Sequence, residues 1–283
     1  MLISINGRRT APADATVSIF DRGFLFGDAI YEVIATQGRR LFQEAEHLER
    51  LELSGEAVGL SVASMRSTLK AEIASLVQAG LAEHEGDLYV RIMITCGRAP
   101  GFGLLESVGE PTRIVMVKPL PVWDPRMVNE GLRLKSVSPE AVVGRVAPWV
   151  KSNNRQANVM AHRLARAAEF DDALFVDPAG KVSEGPTWNV FCVRGGSLLT
   201  PPLERGILPG ITRSTVLRCA LEEGIPAAEQ VLSLEEVREA DEAFVTSTTR
   251  GVMPVKRLDE RTWDQTPGLL TRRLQLRLAQ VEA

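Results

Sequence analysis

The residue of this chain best suited to covalent chemistry is Lys151. It follows an apolar Pro-Trp-Val run, precedes Ser-Asn-Asn, and is one of only six lysines in a chain that takes most of its positive charge from arginine. An amine in a partly buried pocket is desolvated, which lowers its pKa and leaves a neutral nitrogen that can form an imine with an aldehyde. Alternatively, Lys151 ends a strand and extends its charge into water. Other motifs must decide between these interpretations.

Two later stretches have the composition of phosphate-binding sites. In the segment 207–213, Ile-Leu-Pro-Gly-Ile-Thr-Arg, the Pro-Gly pair ends one element and Ile211 and Thr212 open a helix. The first amides of a helix lack intrahelical acceptors, so with the Thr212 hydroxyl they can hold a phosphate. The Ser-Thr-Thr segment at 247–249 ends a strand with a cluster of hydroxyls. A capped helix and a polar loop are the ordinary alternatives.

A single carboxylate completes the set of chemical groups. Glu184 stands between a strand and a glycine turn in the run Val-Ser-Glu-Gly-Pro-Thr-Trp-Asn, where it either points into a cavity or belongs to the turn. A candidate imine lysine, a turn carboxylate and two candidate phosphate sites together describe a bound phosphorylated aldehyde cofactor.

Composition excludes several other classes of function. The 283 residues include 45% hydrophobic and 24% charged residues with a net charge of -3, so the chain is globular and has no positive field for nucleic acid or an anionic membrane. Neither a leader segment nor a membrane-length apolar run is evident, so we expect a cytoplasmic protein. The three cysteines lie far apart among apolar residues, and the three histidines lack metal-ligand spacing, so we expect reduced thiols and no metal site.

Hydrophobic periodicity predicts a two-domain mixed α/β chain. A hairpin is predicted from Leu2–Ile5 and a return strand over 11–19, followed by a strand at 29–35 with Tyr31 and Val33 on one face. A helix from Gln43, a helix over 62–82, and strands at 87–95 and 112–117 come next. In the second half we expect strands at 132–138, 173–177, 181–184 and 188–193 and helices at 158–170 and from Ile211 to Glu223. The stiff Lys-Pro-Leu-Pro-Val-Trp segment marks the boundary, giving domains 1–118 and 125–283 joined by a linker at 119–124.

Motifs along nearly the whole chain resemble the class IV (fold-type IV) pyridoxal-phosphate aminotransferases. They are Gly27-Asp-Ala-Ile-Tyr-Glu-Val33, His47-Leu-Glu-Arg-Leu51, Lys151-Ser-Asn-Asn154, Ser183-Glu-Gly185, Asn189-Val-Phe191, Thr200-Pro-Pro202, Leu208-Pro-Gly-Ile-Thr-Arg213, Ala240-Asp-Glu-Ala-Phe-Val245, and Ser247-Thr-Thr249 through Met253-Pro254. The resemblance implies a small N-terminal α/β domain, a larger C-terminal domain with a pseudo-barrel sheet, and a homodimer with its active site at the interface.

The resemblance also implies roles for individual residues. Lys151 would be the Schiff-base lysine and Glu184 the partner of the pyridine nitrogen of pyridoxal 5'-phosphate (PLP). The cofactor would be held by Lys151, Arg50, Glu184, Leu208, Ile211, Thr212, Ser247 and Thr248. The substrates, an amino acid and a 2-oxo acid, would meet Tyr31, Val33, Arg98 and Thr249.

The motifs favour the D-amino-acid branch of this family. Tyr-Glu-Val at 31–33 and Lys-x-x-Asn at 151–154 resemble that branch, whereas the branched-chain enzymes usually have Phe-Glu-Gly and a tyrosine where this chain has Gln156. The D-amino-acid enzymes carry an Arg-x-His carboxylate trap, however, and the matching positions here are Gly101 and Gly103. Arg98 in the same glycine-rich loop, Arg22 and Arg91 are candidates for a substitute cation.

Three alternatives remain open at this point. A branched-chain aminotransferase is the first. The second is aminodeoxychorismate lyase, which converts 4-amino-4-deoxychorismate to 4-aminobenzoate and pyruvate and resembles this chain in Lys-x-x-Asn-Arg at 151–155. The third is a PLP-binding protein without turnover. R-selective amine transaminases belong to the same family.

Overall fold

The chain divides into two compact units. The computed structural model describes residues 1–101, 103, 109–138 and 149–281; Pro148, in the apolar run before Lys151, lies outside these ranges. The first unit comprises residues 1–121 and 150–154, and the second comprises 122–138, 149 and 155–281. The division falls inside the predicted 119–124 linker. In contrast to the predicted 125–283 domain, residues 150–154 pack with the first unit.

The first unit is a sheet covered by two helices. Its elements are β1 (Leu2–Ile5), β2 (Arg8–Thr10), α1 (Arg22–Leu25), β3 (Ala29–Gln37), β4 (Arg40–Leu41), α2 (Glu44–Ala57), α3 (Arg66–Glu83), β5 (Leu88–Thr95) and β6 (Thr112–Pro119). The described strands form a six-stranded sheet in the order β2-β1-β6-β5-β3-β4, and β3 and β5 pair antiparallel over seven residue pairs. Leu48 and Leu51 of α2 and Leu69 and Ile73 of α3 are fully buried, so an apolar helix face packs on the sheet.

The N-terminal hairpin is shorter than predicted. Asn6 and Gly7 both have positive φ, 51° and 82°, so they turn the chain within two residues and bring Arg8 directly back along β1. The return strand is therefore Arg8–Thr10, and the prediction of a strand over 11–19 was wrong.

The second unit is a mixed sheet with helices. Its elements are α4 (Pro125–Asn129), β7 (Leu132–Val137), α5 (Gln156–Ala167), β8 (Asp172–Phe175), β9 (Asn189–Arg194), β10 (Ser197–Thr200), α6 (Ile211–Glu222), β11 (Ala227–Glu229), α7 (Leu234–Arg238), β12 (Glu242–Ser247), β13 (Gly251–Leu258), β14 (Arg261–Thr262) and α8 (Leu269–Ala279). The described strands run in the order β11-β10-β9-β12-β13-β7-β8, with β14 beside β13. The strand predicted at 181–184 is present only as isolated bridges.

The core of the second unit includes side chains of this sheet and of α7. Leu134, Leu174, Val190, Val245 and Trp263 belong to one buried apolar cluster. The predicted two-domain α/β architecture is confirmed by these two sheets with their helices. Within residues 1–101, 103, 109–138 and 149–281, no helix combines the length and the apolar character needed to cross a membrane.

The ring pair Phe191 and Phe244 provides a test of the second unit's core. The two residues are directly opposite on β9 and β12, both are fully buried, and their rings stack with centroids 5.0 Å apart. Phe244→Ala should lower the free energy of unfolding by about 3–5 kcal/mol, because it leaves a cavity and removes the ring contact. Urea unfolding measures the loss, with the exposed Leu221→Ala as control; equal midpoints for the two variants would contradict this packing.

Candidate active site

Lys151 is positioned by main-chain hydrogen bonds to the start of β3. The Tyr31 amide donates to the Lys151 carbonyl at 2.9 Å, and the Asn153 amide donates to the Ala29 carbonyl at 2.9 Å. The Lys151 amide in turn donates to Ser54 Oγ of α2 at 3.3 Å. The lysine is thus held against the first unit's sheet, although more than 100 residues of sequence separate it from β3.

One face of β3 and β5 carries three of the candidate substrate-side groups. Tyr31 and Val33 share a face of β3, and Arg91 of β5 lies directly opposite Val33. The Arg91 guanidinium carbon is 4.2 Å from the centroid of the Tyr31 ring, and Lys151 Nζ is 4.9 Å from the same centroid. Two basic side chains, those of Arg91 and Lys151, therefore lie against one aromatic ring.

Arg50 forms a buried ion pair with Glu32. Arg50 Nε and Nη2 donate to the two oxygens of the Glu32 carboxylate at 2.8 Å each, and His47 Nδ1 lies 3.2 Å from Glu32 Oε1. Burial raises the pKa of Glu32, but Arg50 and then His47 lower it by more, so the carboxylate stays ionised. Burial lowers the pKa of His47, so its ring is neutral near pH 7.

The other candidate arginines have different surroundings. Arg22 Nε donates to Asp28 Oδ2 at 2.8 Å, and Arg22 Nη1 donates to the Gly103 carbonyl at 3.4 Å. Arg98 is exposed, and its backbone bridges Asp21. The role of Arg98 in substrate binding remains a prediction.

In the second unit, Glu184 and Leu208 are in direct contact. The Leu208 amide donates to Glu184 Oε2 at 3.0 Å. Asn189 Nδ2 donates to the same oxygen at 3.3 Å and to the Leu208 carbonyl at 3.0 Å. The buried carboxylate is therefore oriented by two donors, as required for a group that must face a fixed partner.

The N-terminus of α6 has the geometry of an anion site. Gly210 is the cap residue and provides no side-chain hydrogen bond to the first amides of Ile211 and Thr212. A Cβ at Gly210 would lie 2.0 Å from Asn189 Oδ1, so only glycine allows this approach to the Glu184 segment. Thr212 is buried in the first turn of the helix.

Ser247 is the last residue of β12, and Thr248 and Thr249 begin the turn to β13; these three residues are here called the turn 247–249. The Arg250 amide donates to the Ser247 carbonyl at 3.2 Å, and Trp123 Nε1 donates to the Thr249 carbonyl at 2.8 Å. The adjacent Thr246 Oγ1 is buried and has no hydrogen-bond partner among the described residues.

These residues fit pyridoxal phosphate as the expected cofactor. Each unit carries part of the predicted set: Lys151, Tyr31, Val33, Arg50 and Arg98 lie in the first, and Glu184, Leu208, Ile211, Thr212, Ser247, Thr248 and Thr249 lie in the second. An uncapped helix N-terminus and a cluster of hydroxyls are each suited to a phosphate, and a buried, oriented carboxylate suits a protonated ring nitrogen. Among the described residues, no group of three or more His, Cys, Asp or Glu side chains could hold a metal ion.

Sequence reasoning missed two groups of this site. Sequence patterns give Glu32 and His47 no role of their own, although a glutamate in an otherwise apolar strand signals a buried ion pair. The signal for Asn189 is its position five residues after Glu184, at the start of a strand.

Comparison with known proteins agrees with this geometry. A family model described as amino-transferase class IV matches residues 29–258. The chain is 35% identical over 264 residues to a "Putative branched-chain-amino-acid aminotransferase" of Methanocaldococcus jannaschii, covering 92% of this chain and 89% of that protein. It is 33% identical to the D-alanine aminotransferase of Bacillus licheniformis, covering 98% of this chain and 96% of that enzyme.

A solved structure extends the comparison to the fold. A branched-chain aminotransferase of the archaeon Thermoproteus uzoniensis, crystallised with norvaline, matches 98% of this chain and 93% of its own with a TM-score of 0.86 and 27% identity. The predicted resemblance is therefore confirmed: the chain belongs to the class IV aminotransferases, which are pyridoxal-phosphate-dependent enzymes.

Proposed function

We propose that this enzyme is a D-amino-acid-type aminotransferase in which Arg91 grips the substrate carboxylate. The observation that carries the proposal is the position of Arg91, whose guanidinium lies against the Tyr31 ring that Lys151 also contacts. A carboxylate at this point would meet a forked donor beside the reactive amine.

Arg91 is the best placed of the three candidate arginines. The charge of Arg22 is already paired with Asp28. Arg98 is exposed, so water competes for its donors. Arg91 is half-buried, and its guanidinium donates no hydrogen bond to any of the described residues. Its five N–H groups can therefore bind a ligand in a partly desolvated setting.

The D-amino-acid assignment rests on motifs and relatives together. Tyr31 and Val33 stand at the face described above, and D-alanine aminotransferases of several bacteria are 29–33% identical to this chain over 92–98% of its length. The positions of the usual Arg-x-His trap are Gly101 and Gly103, so a rebuilt carboxylate grip is needed.

Lys151 and Glu184 would have different roles toward protons, one transferring them and the other keeping one in place. When bound, the cofactor supplies an electron-withdrawing ring and an aldehyde carbon. Lys151 Nζ would take the proton from the substrate carbon and return one to the cofactor carbon. Glu184 would keep the ring nitrogen protonated, with its carboxylate fixed by Leu208 and Asn189.

The phosphate is assigned to the second unit's two donor groups, with Arg50 as a further contributor. The first amides of α6, the Thr212 hydroxyl, and the Ser247 and Thr248 hydroxyls supply donors. Arg50 also neutralises buried Glu32, so removing it leaves a buried charge unpaired, a change that typically costs about 3–5 kcal/mol of stability. Thr212 therefore gives the cleaner test of phosphate binding.

A homodimer and a cytoplasmic location complete the proposal. The resemblance to the class IV aminotransferases supports the homodimer, and a second copy would cover exposed apolar side chains such as Phe24 and Ile19, which are 71% and 65% exposed in the first unit. Light scattering of the purified enzyme at twice the monomer mass would support the dimer.

A branched-chain L-amino-acid aminotransferase is the second candidate. It is favoured by the 35% identity to the Methanocaldococcus jannaschii protein, whose printed name carries that activity. A half-reaction screen separates the two proposals. D-alanine should bleach the cofactor band at about 400 nm under the first, and L-leucine or L-isoleucine should bleach it under the second.

Lys151→Ala should abolish both the absorption band at about 400 nm and transamination, because it removes the amine proposed to form the imine with the cofactor aldehyde. Circular dichroism checks that the fold is retained. The control is Lys256→Ala, whose Nζ contacts the Asp264 carbonyl in the second unit. Normal turnover by the Lys151 variant would contradict the assignment of Lys151 as the lysine that forms the imine.

Thr212→Val should weaken PLP binding by about 1.5–3 kcal/mol, because it removes a donor to a dianionic phosphate. The matched control is Thr215→Val, one turn along α6, where the hydroxyl donates to the Ile211 carbonyl at 3.0 Å. Fluorescence titration with PLP measures both affinities. Equal affinities in the two variants would place the phosphate elsewhere.

Arg91→Leu should raise the Michaelis constant for amino acids roughly ten- to a hundredfold, because a charge-assisted hydrogen bond contributes about 1.5–3 kcal/mol. The cofactor band should be unchanged, and amines without a carboxylate should react as before. Arg98→Ala is the competing arm. If that variant raises the Michaelis constant and Arg91→Leu does not, the carboxylate contact belongs to Arg98.

A further inference from the structure

Asp172 is a buried carboxylate at the start of β8 that receives donors on both oxygens. Its Oδ2 accepts from Trp188 Nε1 at 2.8 Å and from Arg250 Nη1 at 3.2 Å. Its Oδ1 accepts from the Ala173 amide at 3.0 Å and lies 3.1 Å from His162 Nδ1. None of the roles described above uses this residue.

The two donors on Oδ2 come from two of the segments to which cofactor binding is assigned. Trp188 belongs to the loop 183–188, which carries Glu184. Arg250 directly follows the turn 247–249, which carries the candidate phosphate hydroxyls. One carboxylate oxygen therefore joins the two segments. The loop would hold the ring nitrogen of the cofactor, and the turn would hold its phosphate.

The loop side of this link is rigid. The Gly185 amide donates to the Trp188 carbonyl at 2.9 Å, and a Cβ at Gly185 would lie 2.1 Å from Trp188 Cε2. The Pro186 carbonyl accepts from Asn158 Nδ2 at 2.7 Å and also from Arg155. A displacement of Trp188 is thus transmitted to Gly185 and to the neighbouring Glu184.

The turn side is held equally closely. The Arg250 guanidinium carbon lies 4.6 Å from the centroid of the Trp123 ring. Trp123 Nε1 donates to the Thr249 carbonyl at 2.8 Å, and the Arg250 amide donates to the Ser247 carbonyl at 3.2 Å. The contacts that hold the Arg250 side chain therefore also restrict the position of the turn 247–249.

We propose that Asp172 is a positioning residue that sets the separation between Glu184 and the turn 247–249. This inference rests on the proposed function. Asp172 acts through Trp188 on the carboxylate for the ring nitrogen and through Arg250 on the phosphate hydroxyls. Loss of its charge would leave Arg250 without its ion-pair partner and would release both segments.

The neighbouring Asp171 provides a matched control. Its side chain is as buried as that of Asp172, and it receives hydrogen bonds from Arg133 at 3.0 and 3.2 Å and from Arg126 at 2.9 Å. Those partners belong to β7 and α4, and neither is part of the loop 183–188 or of the turn 247–249. Asp171 and Asp172 are therefore similarly buried carboxylates that bind different segments of the second unit.

The test compares Asp172→Asn, Trp188→Phe and Asp171→Asn in the full-length enzyme. Apoenzyme is titrated with PLP, unfolding in urea is followed, and kcat and KM are measured at saturating PLP. We expect the PLP dissociation constant to rise at least tenfold in Asp172→Asn, and kcat to fall while KM changes less than threefold. Trp188→Phe keeps the ring against Gly185 and removes one donor, so its PLP dissociation constant should rise at least threefold.

Asp171→Asn should lower the urea midpoint while the PLP dissociation constant stays within twofold of wild type. Equal PLP dissociation constants in the Asp172 and Asp171 variants would overturn the positioning role. If Asp172→Asn does not fold, an unchanged PLP dissociation constant in Trp188→Phe overturns it equally. A wild-type enzyme that binds no PLP would refute the proposed function itself, which is a separate outcome.

Discussion

The main-chain pairing between residues 150–154 and the start of β3 is the constraint on which the first unit's chemistry depends. The hydrogen bonds from Tyr31 to Lys151 and from Asn153 to Ala29 hold the lysine beside the ring of Tyr31. Arg91 reaches the same ring from β5 because it is directly opposite Val33. The lysine and its candidate carboxylate grip are therefore positioned by one sheet, whose register cannot slip without turning its buried face outward.

Buried charges tie the site to the stability of the fold. Glu32 with Arg50 in the first unit and Asp172 with Arg250 in the second are paired carboxylates with little or no contact with water. Removing one partner of such a pair costs more than the pair contributes, since the other charge stays buried and unpaired. A substitution at one of these residues will therefore lower stability as well as change function. Substitutions of the uncharged Thr212 or Trp188 leave no buried charge unpaired, so their effects on cofactor binding are easier to interpret.

Local patterns in the sequence predict most of the candidate chemical groups. Lys151, Glu184 and Thr212 are predicted from the residues around them, since an uncommon lysine, a turn carboxylate and a Pro-Gly helix start are features of short segments, and their roles stay predictions. The helix α6 and the long strands β3 and β5 were predicted to within a few residues because glycines flank each of them in the sequence.

Pairing across long stretches of sequence was not predictable in the same way. The packing of 150–154 with the first unit depends on contacts with residues more than 100 positions earlier, which no local pattern encodes. Arg50 has the spacing of a solvated helix residue, and only the fold shows that Glu32 lies opposite it. Asp172 likewise gave no signal, because its donors Trp188 and Arg250 lie 16 and 78 residues away.

The central claim is that this chain holds its cofactor through Lys151. Treating the purified enzyme with borohydride reduces an imine to a stable amine, and peptide mass spectrometry then locates the added mass among the six lysines. The account predicts a phosphopyridoxyl adduct on the peptide containing Lys151 and on no other. An adduct on a different lysine, or none in enzyme that shows the cofactor band, would contradict it.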